Sequence, residues 1–167
     1  MADRLFLRPF EAADVQMFSR NVMSDPEFPA ASGLRDSAEL PDAGEYVLQR
    51  AGYAGRPHFY DFAVVRREDD EVIGEINAAY IPPDTADIGY VIGRRFRGFG
   101  YGTEAVKMLA ELLKTDGVTC IYGACRPENA ASEKVMRACG MEETDNVPDR
   151  VKQRESEAGL RWFVKSL

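Results

Sequence analysis

Between Thr103 and Lys114 the apolar residues recur every three or four positions. Ala105, Leu109, Leu112 and Leu113 form one stripe, and Glu104, Lys107, Glu111 and Lys114 form a wet face with charges spaced for pairing. The pattern predicts an amphipathic helix, ended by Asp116-Gly117. Glu11 to Met23 reads the same way, with Val15, Phe18 and Val22 on one side and Asp14 in the first turn, where a carboxylate suits the helix dipole. Asp42 to Ala54 gives a softer helical pattern in which Tyr46, Val47, Arg50 and Ala51 share a side. A fourth, shorter helix runs from Ala130 to Cys139, stopped by Gly140.

Elsewhere the period shortens towards two. Arg4 to Pro9 reads as a first strand. Tyr60 to Arg66, Glu71 to Tyr80 and Ala86 to Gly93 are three more, linked by turns at Asp69-Asp70 and Pro82-Pro83-Asp84, which predicts an antiparallel meander. Val118 to Cys125 is a fifth. In Gly159 to Lys165, Leu160, Trp162 and Val164 alternate with Arg161, Phe163 and Lys165 to make a last one. Asp25-Pro26 through Ser32-Gly33 reads as a loop, as does the charge-rich stretch 141–156 with one short strand inside it. The strands on either side of the helix at 103–114 must be parallel, because a helix crosses between them. The expectation is a mixed sheet flanked by helices in a single α/β domain over 1–167.

Composition narrows the function. At 167 residues and 45% hydrophobic the chain can bury a proper core. A net charge of −7, with no basic run beyond Arg94-Arg95-Phe96-Arg97, argues against a nucleic-acid partner. No apolar run is long enough for a membrane span, and MADRLFLRPF has no signal-peptide core. Cys120, Cys125 and Cys139 are an odd number at spacings that fit no zinc site, and they read as small buried residues of a reducing, cytoplasmic compartment. His58 is the only histidine, which argues against a histidine-dependent triad or a multi-histidine metal site.

The feature that calls for chemistry is Arg97-Gly98-Phe99-Gly100-Tyr101-Gly102, set between a strand and the best helix. A helix begins with N–H groups that have no internal partner, and they attract anions. Glycines allow positive φ and close backbone approach, so several N–H groups can converge on one phosphate, and Arg97 can add a charge-assisted bond. The nucleoside-triphosphate loop is absent, because no lysine follows until Lys107. The dinucleotide fingerprint fails too, with Thr103 where its third glycine belongs.

The same residues resemble the R-x-x-G-x-G/A loop of the GNAT acetyltransferase superfamily, and Thr103-Glu104-Ala105 continues it as in the RimJ/RimL-like group, which acetylates ribosomal-protein N-termini. Arg4-Leu5-x-Leu7-Arg8-Pro9 with Asp14, Ile88-Gly89-Tyr90, and Asn129-x-x-Ser132 followed by Cys139-Gly140-Met141 are similar to that group's other blocks, in the same order. The resemblance implies a mostly antiparallel sheet splayed between strands 4 and 5, flanked by about four helices. It implies acetyl-coenzyme A as cofactor, its pyrophosphate held by Arg97, Gly98, Phe99, Gly100, Tyr101, Gly102 and Thr103. The pantetheine arm would lie along the backbone of Tyr90, Val91 and Ile92 and touch Asn129. Direct transfer to a primary amine, of a protein N-terminus or a small molecule, needs a base and an acid. Where many members place a tyrosine acid this chain has Met136, and the resembled group points to Ser132 instead. Ser132 is equally readable as a first-turn residue bonding a backbone N–H. Glu75 and Asp87 are the base candidates, each also readable as a strand carboxylate facing water, and loss of the proton to bulk through water stays open. The acceptor pocket is expected among Phe28, Tyr53, His58 and Tyr60, which also read as ordinary core or surface. A non-catalytic acyl-coenzyme A sensor is the alternative, and a homodimer is left open.

Overall fold

The computed structural model describes residues 3–31, 40–153 and 159–167. The predicted loop ends Ser32-Gly33 and 154–156 lie outside these. Seven strands form one sheet in the order β1-β2-β3-β4-β5-β7-β6. They are β1 (Leu5–Arg8), β2 (Phe59–Arg66), β3 (Glu71–Ile81), β4 (Thr85–Ile92), β5 (Cys120–Cys125), β6 (Glu142–Glu143) and β7 (Arg161–Ser166). β4 and β5 pair in parallel and the other neighbours are antiparallel. The helix that crosses between β4 and β5 is α4 (Tyr101–Thr115), two residues longer at its start than its apolar stripe indicated.

One face of the sheet packs on α4 and on α5 (Ala130–Ala138) through Ile76, Ile88, Leu109, Leu113, Ile121, Met136 and Phe163. The predicted stripe needs one correction. Leu112 is exposed, and Val106 and Ala110 are buried in its place, because α4 meets the sheet about a residue away from the simple alternation. Glu104 also leaves the wet face. Its carboxylate accepts the N–H groups of Arg4 at 2.7 Å and Leu5 at 3.0 Å, tying the helix start to β1.

The other face is covered by α1 (Val15–Phe18), α2 (Phe28–Ala31) and α3 (Ala43–Tyr53). Asp42 caps α3 by accepting the Glu45 N–H at 2.9 Å. Phe18, Phe28 and Tyr46 close this layer as an aromatic cluster, with Phe18 stacked on Tyr46 at 5.5 Å and edge-on to Phe28 at 6.0 Å. The predicted helix 11–23 is wound in three pitches: a 3-10 turn at Ala12–Asp14, α1, and a π turn at Ser19–Met23. The wide turn has a neighbour that explains it. A Cβ on Gly93 would stand 2.0 Å from the Asn21 carbonyl oxygen, so strand end and turn approach backbone to backbone. Two short helices, α2 and α6 (Asp149–Lys152), stand in stretches that read as loops. Among the described residues no helix is long and apolar enough to cross a membrane. The cysteines are unpaired, with Cys125 and Cys139 buried as expected and Cys120 only half-buried.

Candidate active site

β4 keeps its β3 partner along its whole length, Thr85 to Ile92, but pairs with β5 only from Thr85 to Ile88. Beyond the Ile88–Gly123 pair β5 continues against β7 alone, and the sheet opens. Over Gly89–Ile92, alternate residues turn N–H and C=O groups towards that opening. Gly123 is bare for a visible reason, since a Cβ there would lie 3.0 Å from the buried Met136 sulfur.

The glycine loop closes the same end of the sheet. Gly98 and Gly100 take φ of +85° and +84°, the region open to glycine at little cost. Gly100 is the N-cap of the fifteen-residue α4, which has no side-chain cap, and the first helical bond runs from the Glu104 N–H to the Gly100 oxygen at 3.1 Å. The N–H groups of Tyr101, Gly102 and Thr103 therefore lack helical acceptors. Glu104, the acid of the first turn, is paired with Arg4 at 2.8 Å, which weakens its offset of the positive helix end. Arg4 braces the loop by donating to the Phe99 carbonyl at 2.9 Å and stacking over Tyr101 at 4.7 Å. Phe99 is 61% exposed.

The Arg97 side chain departs from expectation. Its guanidinium donates to Asp25 at 2.6 Å, Glu27 at 2.8 Å and the Ile92 carbonyl at 2.8 Å. It ties the strand end to the segment after α1, and no phosphate bond from it is needed to explain its place. Tyr101 likewise turns its ring into the core, so that its N–H is the group at the helix start.

Ser132 and Asn129 sit across the opening from β4. Asn129 caps α5, its Oδ1 accepting the Ser132 N–H at 3.0 Å. The Ser132 hydroxyl meets the Tyr90 phenol at 2.9 Å. Among the described residues it accepts no backbone N–H, which speaks against the plain capping explanation. Burial pushes the Tyr90 phenol well above its ordinary range and keeps it protonated. Met136 is buried in the core, so no tyrosine occupies that helical position.

The carboxylates lie on the other face of the sheet. Paired residues on neighbouring antiparallel strands share a face, so Ala63, Glu75 and Val91 make one row and Asp61, Asn77 and Gly89 the next. Glu75 is 2% exposed and Asp87 7%, which overturns the water-facing reading of both. Glu75 accepts the Tyr46 hydroxyl at 2.7 Å and the Arg50 Nε–H at 2.9 Å. Arg50 also faces Asp61 at 3.1 Å and lies over the Tyr46 ring at 3.4 Å. One guanidinium thus serves two buried carboxylates. Asp61 is 12% exposed on its side chain, and its buried Oδ1 has no hydrogen-bond partner among the described residues. Burial and then the Glu75 charge push Asp61 up to about 8. Sequence reading passed over Asp61, although a signal was present: it alternates with Ala63 and Val65, a carboxylate in register with an apolar face.

The expected acceptor-pocket set does not assemble. Phe28 is fully buried in the aromatic cluster, and Tyr60 points to the α4 side, where its hydroxyl donates to Asp116 at 3.0 Å. His58 stacks on Tyr80 at 4.0 Å, and Tyr53 packs beside Phe59 at 5.5 Å.

A strand pair that opens where a glycine loop starts a helix is a family's architecture, and the family model for the GNAT acetyltransferase domain matches residues 4–142. The chain belongs to the GNAT acetyltransferases. An N-acetyltransferase of Bacillus licheniformis named p20, described as uncharacterized, is 28% identical over 160 residues, covering 91% of this chain and 86% of that protein. A putative ribosomal-protein-serine acetyltransferase from Vibrio cholerae superposes with a TM-score of 0.80 at 20% identity, covering 100% of this chain and 96% of that one. The microcin C7 self-immunity acetyltransferase MccE, solved with acetyl-CoA and AMP, superposes with a TM-score of 0.77 at 15% identity, covering 99% and 94%. At these identities the superpositions show the fold. The protein is an acyltransferase of this fold, with ribosomal-protein acetyltransferases among its structural neighbours.

Proposed function

We propose that the protein binds acetyl-coenzyme A along β4 and transfers its acetyl group to a primary amine, of a protein N-terminus or a small molecule. The observation that carries this is the coincidence of three features at one end of the sheet: the β4–β5 opening, the left-handed glycines 98 and 100, and the uncapped start of α4. The residues fit the group. Backbone N–H groups from Gly98 to Thr103 suit a pyrophosphate, with space around Gly98, where an added Cβ meets nothing within 4 Å. The opening over Tyr90, Val91 and Ile92 suits an extended arm, and Asn129, whose Oδ1 is spent on the α5 cap, would offer its amide NH2 to it. Bound there, acetyl-coenzyme A supplies the acetyl group as a thioester. A β4 N–H in the opening would polarise the thioester carbonyl. Ser132 stands on the α5 side to protonate the departing sulfur, while the base candidates Asp87 and Glu75 stand on the other face of the sheet, where the ammonium form of the acceptor can give up its first proton. Separating acid and base across the sheet keeps them from neutralising each other.

The test is thiol release from acetyl-coenzyme A with a panel of amines that includes peptides beginning with serine or alanine. Turnover with at least one amine is expected, and Ser132→Ala should lower turnover more than cofactor affinity. Tight binding of acetyl-coenzyme A with no turnover on any amine would instead mark a sensor.

A further inference from the structure

The Tyr90 phenol has one proton and two acceptors on the same residue: the Ser132 Oγ at 2.9 Å and the Ser132 carbonyl oxygen at 3.2 Å. These define two arrangements of the pair. In one, Tyr90 donates to the carbonyl, and the serine hydroxyl donates back to the phenol oxygen. The serine proton is then turned inward, away from the opening. In the other, Tyr90 donates to Oγ, and the serine proton is free to point out. Only the second lets Ser132 serve as an acid. We infer that Tyr90 is the positioning residue for Ser132, holding its oxygen by a donated hydrogen bond so that the serine proton faces the sulfur of the acyl donor.

This rests on the assignment of Ser132 made above, and the surroundings support it. Tyr90 is on β4, the strand that bounds the opening, and Ser132 is on the first turn of α5, whose position the Asn129 cap fixes. The contact therefore spans the cleft from wall to wall. A Cβ on Gly102 would touch the Tyr90 ring at 3.8 Å and Val135 at 3.5 Å, so the ring is walled in between the start of α4 and α5. Burial keeps the phenol protonated, which makes it a permanent donor. A chain of two hydroxyls also polarises, so that the outer one donates more strongly. Without the phenol, a first-turn serine hydroxyl turns back onto the backbone of its own helix. Met136 stands where a tyrosine acid would act alone, and the phenol here reaches the same cleft from the strand instead, through a serine.

The proton count closes. As the carbon–nitrogen bond forms and the carbon–sulfur bond breaks, the sulfur takes the bonding pair and the Ser132 proton. Ser132 regains a proton from the acceptor nitrogen through water. Tyr90 keeps its own proton throughout and only steadies the charge that develops on Oγ.

The experiment compares wild type, Tyr90→Phe, Ser132→Ala and the double variant, each with coenzyme A alone. The ultraviolet absorbance of the thiolate is followed against pH, and calorimetry gives the affinity. A serine proton aimed at sulfur favours the thiolate. At a fixed pH, Tyr90→Phe and Ser132→Ala should each lower the bound thiolate fraction about threefold or more, with affinity within about threefold of wild type. The double variant should match Ser132→Ala. With an amine that turns over, kcat should fall about tenfold in Tyr90→Phe with KM for acetyl-coenzyme A unchanged. A purely structural tyrosine would lower the melting temperature and leave the thiol titration in place. If Ser132→Ala moves the titration and Tyr90→Phe does not, the positioning role is overturned. If Ser132→Ala moves neither titration nor turnover, the serine assignment itself falls.

Discussion

Replacing Gly100 by aspartate tests the proposed cofactor loop most directly. Gly100 has φ of +84°, and a Cβ there meets only the Arg4 Nη2 at 3.5 Å, an ordinary contact. The cost to folding is therefore that of a left-handed non-glycine residue, about 1–2 kcal/mol. For a chain of this size that is a fall of about 2–4 °C in Tm per kcal/mol. The variant should stay folded at room temperature, which circular dichroism checks. The cost to binding is larger. A carboxylate at ~4 Å from a phosphate oxygen, at an effective dielectric constant of about 20, is repelled by about 4 kcal/mol. At 1.4 kcal/mol per factor of ten, this is about a thousandfold in Kd. Gly100→Asn has the same shape and the same backbone strain without the charge, and should lose about tenfold or less. Isothermal calorimetry with acetyl-coenzyme A measures both, and the gap between the two variants should narrow as salt rises. Equal affinities for Asp and Asn would show that no phosphate lies at the start of α4, and the loop assignment would fail.

Further expectations concern the carboxylate face and the backbone contacts. Folding raises the Asp61 pKa from 3.8 to about 8, so between those values the native chain holds a proton that the unfolded chain has released. Stability from this residue is full below the unfolded value and is lost as pH rises towards the folded one, with a ceiling of about 6 kcal/mol. Asp61→Asn mimics the protonated form, and its urea midpoint should gain on wild type between about pH 5 and pH 8.5; a constant difference would mean that Asp61 is ionised throughout. Gly93→Ala forces a Cβ to within 2.0 Å of the Asn21 carbonyl oxygen, and should cost about 1–3 kcal/mol. Gly98→Ala meets no atom and should cost about 1–2 kcal/mol from backbone conformation alone, and a wild-type denaturation midpoint for Gly93→Ala would count against the close approach.

The elements were legible because their signals are local. The meander from Tyr60 to Gly93, the helix after the glycines and the parallel pair around it follow from periodicity, turn residues and the need for a crossover. The glycine loop was legible for the same reason, since positive φ at Gly98 and Gly100 is a backbone demand that leaves its mark on the residue type. Side-chain destinations were not. Arg97 sits beside the loop in sequence, yet its guanidinium goes to Asp25 and Glu27, some seventy positions away. Leu112 fits the α4 stripe and is exposed, because the sheet surface chose a slightly different arc of the helix. The widening to a π turn at Ser19–Met23 answers to contact with Gly93 and leaves no periodic trace.

The amino-acid order alone determined the succession of strand, left-handed glycines and helix start, because backbone conformation depends on neighbours a few residues away. Only the tertiary structure decided the ionisable chemistry. Glu75 and Asp87 read as base candidates or as water-facing strand charges, and only the sheet buried them; Asp61 became the proton-holding group only when packing buried it beside Glu75 and Arg50. Ser132 read as an acid candidate or as a helix-start residue, and only the fold of β4 against α5 brought the Tyr90 phenol to its hydroxyl. Desolvation and partner charge act through space, and the residues that supply them lie on strands and helices far apart along the chain.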